Sequence, residues 1–323
     1  MLRFIAVLLL YIVWATCTCT STASTIIKLG HVVPKTHPYN LGALRFAQLI
    51  KERTDGKIIV KVYPNRKLGD EKELIERLRS TSIDLAVIST GPLSGLLPKM
   101  GVLDLPFLFR SYGHAYHVLD GEIGKMLLEE LESINIKGLA FWENGFREIT
   151  NSVRPITLPR DLKGLRIRTM QNPIHIATFR VLKAIPCPLA WGHVFTALQL
   201  HTVDGEENPI PVIWTAKLYK VQKYLSITNH FYSPAPILMS LSLFRSLSED
   251  LQQIFLQTAA EVAGYERSLI HKQASKGLTI LQEHGMIVSH PNLKPFIEAT
   301  KPVYKMFAPR FGKELIKTIK ETQ

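Results

Sequence analysis

The pattern of apolar and polar residues predicts that the chain begins with alternating strands and helices. Short apolar or β-branched runs at 26–30, 57–63 and 84–89 are typical of strands, whereas 43–50 and 70–79 carry apolar positions at helical spacing. Three strands separated by two helices form a β-α-β-α-β unit, which implies a parallel sheet. The fold class predicted for this end of the chain is therefore α/β.

The remaining pattern continues this alternation and adds one long helix. Between Ser248, a favoured N-cap residue, and Gly285, a favoured residue just after a helix, about 35 residues keep helical spacing. Such a helix is about 50 Å long at 1.5 Å per residue, so we expect it to run along two lobes. Other predicted helices lie at 111–134, 173–183, 194–200 and 212–219, with two more after 289. Other predicted strands lie at 137–142, 146–151, 165–169, 224–228, 235–240 and 286–289. The connections include a predicted turn at 143–145, a Pro-rich connection at 184–190 and a polar turn at 201–209.

The predicted strand at 165–169 carries the most informative polar residues. Arg166 and Arg168 alternate with apolar residues, so both side chains leave one face of the strand. Asn172 and Pro173 then open a helix, since Asn is a favoured N-cap and Pro suits the first helical position. Ligands of open α/β sheets bind at the carboxyl ends of strands, and a guanidinium suits a carboxylate. Arg168 is therefore the predicted anchor of an anion-binding cleft.

The first 23 residues differ from the rest and have the features of an export signal. A positive charge at Arg3 precedes an apolar run, and residues 21–23 fit a small-x-small cleavage site. We predict a signal peptide at 1–23 that is removed after export. Lipidation of Cys17 or Cys19 is the alternative, although the residues before them are a poor lipidation signal.

The composition argues against several classes of function. The formal charge of +12 comes from Lys and Arg spread along 323 residues, without the runs typical of nucleic-acid binding, so no nucleic-acid partner is predicted. The sequence contains no nucleophile elbow, zinc-protease motif, Cys-x-x-Cys or glycine-rich phosphate loop. His31 and His37 share one loop, but two loop histidines are more typical of polar surface than of a metal site. No metal and no cofactor are predicted.

Three further side chains suit the recognition of an organic acid. Arg147 lies on another extended segment and could be a surface residue or a second arginine that binds the carboxylate of the ligand. Asn208 precedes Pro209 and fits a turn, yet its amide can donate to and accept from a carboxylate or hydroxyl. Trp191 could be a core aromatic or could stack on the apolar face of a sugar. The residues alone leave these alternatives open.

Five motifs, taken in order, are similar to those of one family of transport receptors. They are Leu68-Gly69-Asp70, Asp104-Leu105-Pro106-Phe107-Leu108-Phe109, Asp161-Leu162-Lys163-Gly164-Leu165-Arg166-Ile167-Arg168, Val203-Asp204-Gly205-Glu206-Glu207-Asn208-Pro209 and Val221-Gln222-Lys223-Tyr224-Leu225. With them, residues 24–323 resemble the solute-binding proteins of tripartite ATP-independent periplasmic (TRAP) transporters, the DctP family. Any one motif is weak, but the ordered set is highly specific.

The resemblance implies a two-lobed periplasmic binding protein fold with a type II-like arrangement. It implies an open sheet in each lobe, crossover strands, and a long helix spanning both lobes around a cleft that closes on an organic acid. With this resemblance, lobe 1 is predicted to comprise 24–144 with 233–272, and lobe 2 to comprise 145–232 with 273–323.

The resemblance also implies which residues contact the ligand. In the family, the arginine matching Arg168 makes the main carboxylate pair, and the residues matching Arg147 and Asn208 assist it. The aromatic residue matching Trp191 lies nearby. First-lobe contacts are expected from loops and helix starts that contain His31, His37, Glu71, Ser89 and Thr90, and Asn172 completes the predicted set. The segments 142–147 and 167–173 are similar to those of binders of sugar acids, including uronates and diketogulonate.

These implications predict a periplasmic, non-enzymatic, monomeric receptor. It would capture a small organic acid, such as a uronate or keto sugar acid, and deliver it to TRAP membrane permease subunits. A C4-dicarboxylate is the alternative ligand class and would need a second cation, for which Lys35 and Arg66 are candidates. An alternative of another class is a secreted sugar-acid lyase or hydrolase, with Glu71 or His31 as its base.

Overall fold

The structure, a computed structural model, describes residues 24–323, so the predicted signal peptide lies outside the described residues. Within that range, the chain forms nine strands and twelve α-helices, with five short 3-10 helices between them. The strands are β1 Thr25–Gly30, β2 Ile58–Tyr63, β3 Leu85–Val87, β4 Ile136–Asn151, β5 Arg166–Thr169, β6 Ile185–Pro188, β7 Gly205–Pro209, β8 Tyr224–Ser240 and β9 Ile287–Ser289. The helices are α1 Pro38–Arg53, α2 Glu71–Arg79, α3 Thr90–Leu93, α4 Tyr112–Asp120, α5 Glu122–Glu130, α6 Pro173–Val181, α7 Val194–Gln199, α8 Ile210–Thr215, α9 Leu241–Ser246, α10 Glu249–Glu283, α11 Lys294–Phe311 and α12 Lys313–Glu321.

All nine strands belong to one continuous sheet with the order β2-β1-β3-β8-β4-β7-β5-β6, and β9 pairs with β8. The end formed by β2, β1 and β3, which we call the first lobe, is parallel, as the β-α-β-α-β pattern predicts. The other end, where β5 pairs in parallel with β6 and β7, is the second lobe. The long antiparallel strands β4 and β8 cross between the lobes and join their sheets into one.

Strands β4 and β8 are each continuous where the sequence predicts two separate segments. The turn predicted at 143–145 is wrong: its place is taken by a bulge in β4, where the pairing with β8 shifts between Glu143 and Gly145. Gly145 has a φ of +117°, a conformation that favours glycine. A bulge bends and twists a strand without ending it, so this glycine redirects a crossover strand between the lobes.

The irregular segments predicted at 184–190 and 201–209 each contain a strand. β6 lies at the edge of the sheet, where its two prolines are tolerated because no further strand requires their missing N–H groups. β7 is buried along its whole length although its sequence is Gly-Glu-Glu-Asn-Pro. The polar composition of β7 concealed this strand, because its side chains find their partners inside the protein.

The predicted long helix is confirmed as α10, which has 35 residues. Ser248 caps its first turn by accepting a hydrogen bond from the Leu251 N–H, and Gly285 follows its last turn with a φ of +88°. The helix packs on α1 beside the first lobe, on β4, and on α8 beside the second lobe. It therefore runs along both lobes and supports the crossover between them. Between residues 24 and 323, no helix is both long enough and apolar enough to cross a membrane.

Candidate functional site

A narrow cavity lies between the two lobes, and both supply its walls. The empty space among the lining residues, including the part open to solvent, is ≈ 340 Å³. The first lobe contributes Val32, Val33, Tyr39, Glu71 and Ser89; the crossover strand β4 and the second lobe contribute Asn144, Arg147, Arg168, Met170, Trp191, Asn208 and Val212. Six of the ten predicted site residues line this cavity, namely Arg168, Arg147, Asn208, Trp191, Glu71 and Ser89.

His31 and His37 lie behind the cavity wall, and their interpretation as polar surface is wrong because both are fully buried. His37 accepts a hydrogen bond from the Tyr39 N–H through Nδ1 at 3.2 Å and so caps α1. Nε2 of His31 lies 3.2 Å from Oδ1 of Asn40. Burial lowers the pKa of His31 to about 4 and that of His37 to about 3, so both rings are neutral at pH 7.

Thr90 and Asn172 also lie outside the cavity lining, because each is engaged with Asp104. The Thr90 hydroxyl donates to Oδ1 of Asp104 at 3.3 Å, and Nδ2 of Asn172 donates to Oδ2 at 2.7 Å. Oδ1 of Asn172 caps α6 by accepting hydrogen bonds from the Ile174 and His175 N–H groups. Asn172 therefore starts α6 and ties the second lobe to the first, which leaves its amide little capacity for a ligand.

The two arginines of β5 leave the same face of the strand but have different partners. Arg166 is partly exposed and forms an ion pair with Asp204 at 2.7 Å. Arg168 is only 3% exposed, and its Nε and Nη2 donate to the carbonyl oxygen of Leu189 at 3.0 and 2.7 Å. In the part of the chain that the structure describes, Arg168 forms no ion pair with a carboxylate. The cavity thus contains a buried cation without its own anion.

The electrostatic environment of Arg168 also favours the binding of an anion. Burial lowers its pKa; nearby Glu207 opposes that shift, whereas Arg147 adds to it. An arginine nevertheless keeps its charge at any ordinary pH. A buried charge without a partner is costly, so a ligand anion that pairs with Arg168 would relieve a penalty already present in the empty protein.

Arg147 is fully buried on β4 and has a partner. It forms a two-pronged ion pair with Glu207 on β7, and its Nη2 also donates to Oδ1 of Asn208 at 3.2 Å. His175 and His230 approach Glu207 at 3.4 and 3.5 Å. Burial alone would raise the pKa of Glu207, but Arg147 and His175 hold it well below its usual range. Among the described residues, Nη1 of Arg147 has no hydrogen-bond partner.

The remaining polar groups on the second-lobe side keep Asn208 in place. Oδ1 of Asn208 accepts from Arg147, while its Nδ2 donates to Glu206. Burial raises the pKa of Glu206 to about 7, and hydrogen bonds from Asn208 and Thr150 partly oppose this shift. One amide N–H of Asn208 remains for a ligand after these contacts, because the NH₂ group has two hydrogens to donate.

Glu71 supplies the carboxyl group of the first-lobe wall. It is the first residue of α2, and its Oε1 accepts hydrogen bonds from Ser89 N at 3.0 Å and Ser89 Oγ at 2.7 Å. Burial raises the pKa of Glu71, although the hydrogen bonds from Ser89 oppose the shift. Within residues 24–323, its Oε2 has no hydrogen-bond partner, which leaves an acceptor for a ligand hydroxyl.

The sequence did not identify Tyr39 and Asn144 as site residues. Both line the cavity, and in the described chain Oη of Tyr39 and Oδ1 of Asn144 are buried without a hydrogen-bond partner. An unpartnered buried polar group costs about 1–3 kcal/mol, so such groups call for a partner from outside the chain. The available signals are that Tyr39 lies in the first turn of α1 and that Asn144 precedes Gly145, a pair of residues that also fits a turn.

Trp191 completes the cavity from the second lobe. The centre of its ring lies 6.0 Å from the guanidinium carbon of Arg168. The arrangement can therefore hold a small acid by its carboxylate at Arg168 and Arg147, satisfy its hydroxyls at Tyr39, Asn144 and Glu71, and cover its apolar face with Trp191. Over residues 24–323, no group of three or more His, Cys, Asp or Glu side chains is arranged to hold a metal ion.

The family model for bacterial extracellular solute-binding protein, family 7 (DctP), matches residues 29–310. Over 308 residues, the chain is 37% identical to the 2,3-diketo-L-gulonate-binding periplasmic protein YiaO of Escherichia coli K12, covering 94% of each chain. It is 33% identical over 302 residues to the C4-dicarboxylate-binding periplasmic protein DctP of Rhodobacter capsulatus, covering 91% of this chain and 90% of that protein. It also resembles the sugar acid binding protein DctPAm of Advenella mimigardefordensis in complex with galactonate, with a TM-score of 0.90 and 36% identity, covering 93% of this chain and 97% of that one.

These similarities confirm the two-lobed α/β fold and the transport class that the motifs predict. The matched segment includes both arginines, both crossover strands and nearly all of the described chain. Members of this family are periplasmic solute receptors rather than a class of enzymes. The protein belongs to bacterial extracellular solute-binding protein family 7, the DctP family of TRAP-transporter receptors.

Proposed function

We propose that the protein binds a small sugar acid, such as a uronate or keto sugar acid, in the periplasm and delivers it to TRAP membrane permease subunits. The observation that carries this proposal is Arg168, a buried guanidinium at the cavity without a carboxylate partner in residues 24–323. A ligand carboxylate would accept hydrogen bonds from Arg168 and from Nη1 of Arg147. Charge-assisted hydrogen bonds of this kind offset the desolvation of the ligand.

The choice of a sugar acid rests on the polar groups around the arginines. Tyr39 Oη, Asn144 Oδ1 and Glu71 Oε2 offer a donor and acceptors suited to hydroxyls, and Trp191 offers an aromatic face suited to a sugar ring. The relatives that bind 2,3-diketo-L-gulonate and galactonate support the same class of ligand.

A C4-dicarboxylate is the second candidate ligand, favoured by similarity to the Rhodobacter capsulatus DctP protein. It requires a second cation opposite Arg168. Lys35 and Arg66 are not among the residues that line the described cavity, and the first-lobe wall instead presents Glu71. A second carboxylate on that side would meet another carboxyl group instead of a cation, so we rank sugar acids above dicarboxylates.

We further propose that the protein does not transform its ligand. A lyase or hydrolase would need a base beside the carboxylate, and the two candidates were Glu71 and His31. Glu71 uses one oxygen to bind Ser89, and His31 lies behind the cavity wall beside Asn40. Incubating a bound sugar acid with the protein and recovering it unchanged would support a receptor, whereas turnover would indicate an enzyme.

Export and lobe boundaries are part of the proposal. We propose that the signal peptide 1–23 is cleaved, that the mature protein is a periplasmic monomer, and that the chain changes lobe near 144/145, 232/233 and 272/273. Support for the first two boundaries comes from the β4 bulge at Glu143 and Gly145 and from the pairing of Gly145 with Ser233 on β8.

The test of the proposal is a binding screen of the mature protein against uronates, aldonates, keto sugar acids and dicarboxylates. A ligand present at 100 times its Kd should add about 2.7 kcal/mol to the free energy of unfolding. Calorimetry of the best ligands with the parent and with Arg168→Ala then tests the anchor. The proposal would be contradicted if none of these organic acids bound, or if Arg168→Ala bound the ligand with the same Kd as the parent.

A further inference from the structure

Asp70 joins the two lobes at the edge of the cavity. Its Oδ1 caps α2 in the first lobe by accepting a hydrogen bond from the Glu71 N–H at 3.0 Å. Its Oδ2 accepts a second hydrogen bond, at 2.9 Å, from the backbone N–H of Gly192, which lies 122 residues later in the second lobe. One carboxylate therefore holds the first turn of α2 and a backbone group of the opposite lobe at the same time.

Gly192 is in close contact with the first lobe. A Cβ atom at this position would lie 1.7 Å from Nη1 of Arg66 and 3.0 Å from Oδ2 of Asp70. Arg66 itself has a φ of +59°, and its N–H donates to the carbonyl oxygen of His31 at 3.2 Å. The turn that carries Arg66 is thereby fixed to the loop that forms the first-lobe wall of the cavity.

The contact lies directly beside the ligand site. Glu71, the next residue after Asp70, and Trp191, the residue before Gly192, both line the cavity with Arg168. Asp70, Trp191 and Arg168 also border one adjoining space. Any opening of the cleft that separates Trp191 from Glu71 would therefore break the hydrogen bond between Asp70 and Gly192.

We propose that Asp70, Arg66 and Gly192 form a clasp that holds the lobes closed over the ligand, with Asp70 as its positioning residue. The clasp rests on the proposed binding function and adds to it a determinant of ligand residence time. Because this hydrogen bond exists only when the lobes meet, it stabilises the closed state and slows ligand release without contacting the ligand. Glycine at 192 allows the backbone N–H to approach the carboxylate beneath the Arg66 side chain.

The decisive variant is Asp70→Ser, which separates the two roles of the carboxylate. Serine is a favoured N-cap and keeps α2 capped, but its single hydroxyl on a shorter side chain cannot also reach Gly192. We expect the dissociation rate constant of bound galactonate or glucuronate to rise about tenfold or more, as for loss of one hydrogen bond to a charged group. The association rate constant and the thermal midpoint of the ligand-free protein should stay close to those of the parent.

Glu73→Gln is the matched control, because Glu73 is exposed and lies in the same first turn of α2. It removes one negative charge from the same helix end, and its release rate should equal that of the parent. A release rate in Asp70→Ser equal to that of the parent and of the Glu73→Gln control would overturn the clasp.

A measurement without ligand distinguishes failure of the clasp from failure of the proposed function. Spin labels at the exposed positions Lys61 and Arg180, in a Cys187→Ser background, report the distance between the lobes. The clasp predicts a smaller closed population in Asp70→Ser than in the parent, even if no sugar acid binds. Identical distance distributions would contradict the clasp, whereas a difference between them without any sugar-acid binding would contradict only the proposed ligand.

Discussion

Arg147 and Arg168 line the same cavity, yet in the described chain only Arg147 has a carboxylate partner. Glu207 neutralises Arg147, and the two histidines beside Glu207 complete that buried network. Among residues 24–323, the Arg168 side chain donates only to the carbonyl oxygen of Leu189. The two arginines therefore differ in function: the first is held by the protein, and the second is free to hold an anion.

This difference predicts that Arg168→Lys weakens binding although it keeps the charge. Lysine loses the planar fork that binds both oxygens of a carboxylate, so the Kd should rise about 10- to 100-fold, and Arg168→Ala should cost about 2–5 kcal/mol. Titration calorimetry with a uronate or aldonate measures both effects. Arg166→Lys is the control, because Arg166 is paired with Asp204 away from the cavity; an equal loss there would contradict the assignment.

The sequence could predict the features that depend on local signals. The caps at Ser248 and Asn172 and the alternation of two arginines with apolar residues at 165–169 are local signals. The structure has α10, α6 and β5 where those signals indicate. The cavity position of Arg168 followed from the rule that ligands bind at the carboxyl ends of strands.

The sequence could not predict features that depend on distant partners. Glu206 and Glu207 look like a solvated turn, but partners distant in the sequence make their burial on β7 tolerable. Arg147, 60 residues from Glu207, pairs with that carboxylate, and the hydroxyl of Thr150, 56 residues from Glu206, donates to the other at 2.7 Å. The continuity of β4 likewise depends on its long pairing with β8. Asn144 was missed for the same reason, because its residue type fits a turn and only the crossover bulge brings it to the cavity.

Tyr39→Phe should weaken ligand binding and stabilise the empty protein. The Tyr39 hydroxyl is buried without a partner in residues 24–323, so its removal relieves a desolvation cost and should raise the free energy of unfolding by about 1 kcal/mol. The same change removes a donor to a ligand hydroxyl and should raise the Kd about 3- to 10-fold.

Urea denaturation and calorimetry measure the two effects of Tyr39→Phe. Tyr304→Phe is the matched control, because its hydroxyl donates to the carbonyl oxygen of Pro106 at 2.8 Å and lies outside the cavity lining. The control should lose stability and keep its affinity. The same pattern in both variants would mean that Tyr39 does not contact the ligand.

Glu71→Gln should shift preference towards dicarboxylates. The variant keeps an oxygen for Ser89 but removes the negative charge that would face a second carboxylate, so succinate should bind several-fold more tightly relative to galactonate. The ratio of the two Kd values at pH 8 is the measurement. Glu73→Gln, an exposed change on the same helix, should leave the ratio unchanged. An unchanged ratio in Glu71→Gln would show that this carboxylate does not select the ligand.

Glu148→Gln should reduce the loss of stability as the pH rises. Glu148 is buried on β4 and accepts hydrogen bonds from the Thr228 and Asn229 N–H groups of β8. Burial raises its pKa to about 8, although these hydrogen bonds oppose the shift. The folded protein therefore holds a proton that the unfolded chain, with a carboxyl pKa of 4.5, releases. The contribution of the Glu148 carboxyl group to stability is fully present below pH 4.5 and is lost as the pH rises through about 8.

Glutamine mimics the protonated acid at every pH, so the variant should lose less stability than the parent between pH 5 and pH 8.5, by on the order of 3 kcal/mol. Urea denaturation across that range measures the difference. Glu143 and Glu206, whose pKa values burial raises to about 7, contribute changes of the same sign in both proteins, so the comparison isolates Glu148. Exposed Glu129→Gln should follow the parent. A parallel pH profile for Glu148→Gln and the parent would mean that Glu148 is ionised in the folded protein and that the crossover strands tolerate its charge.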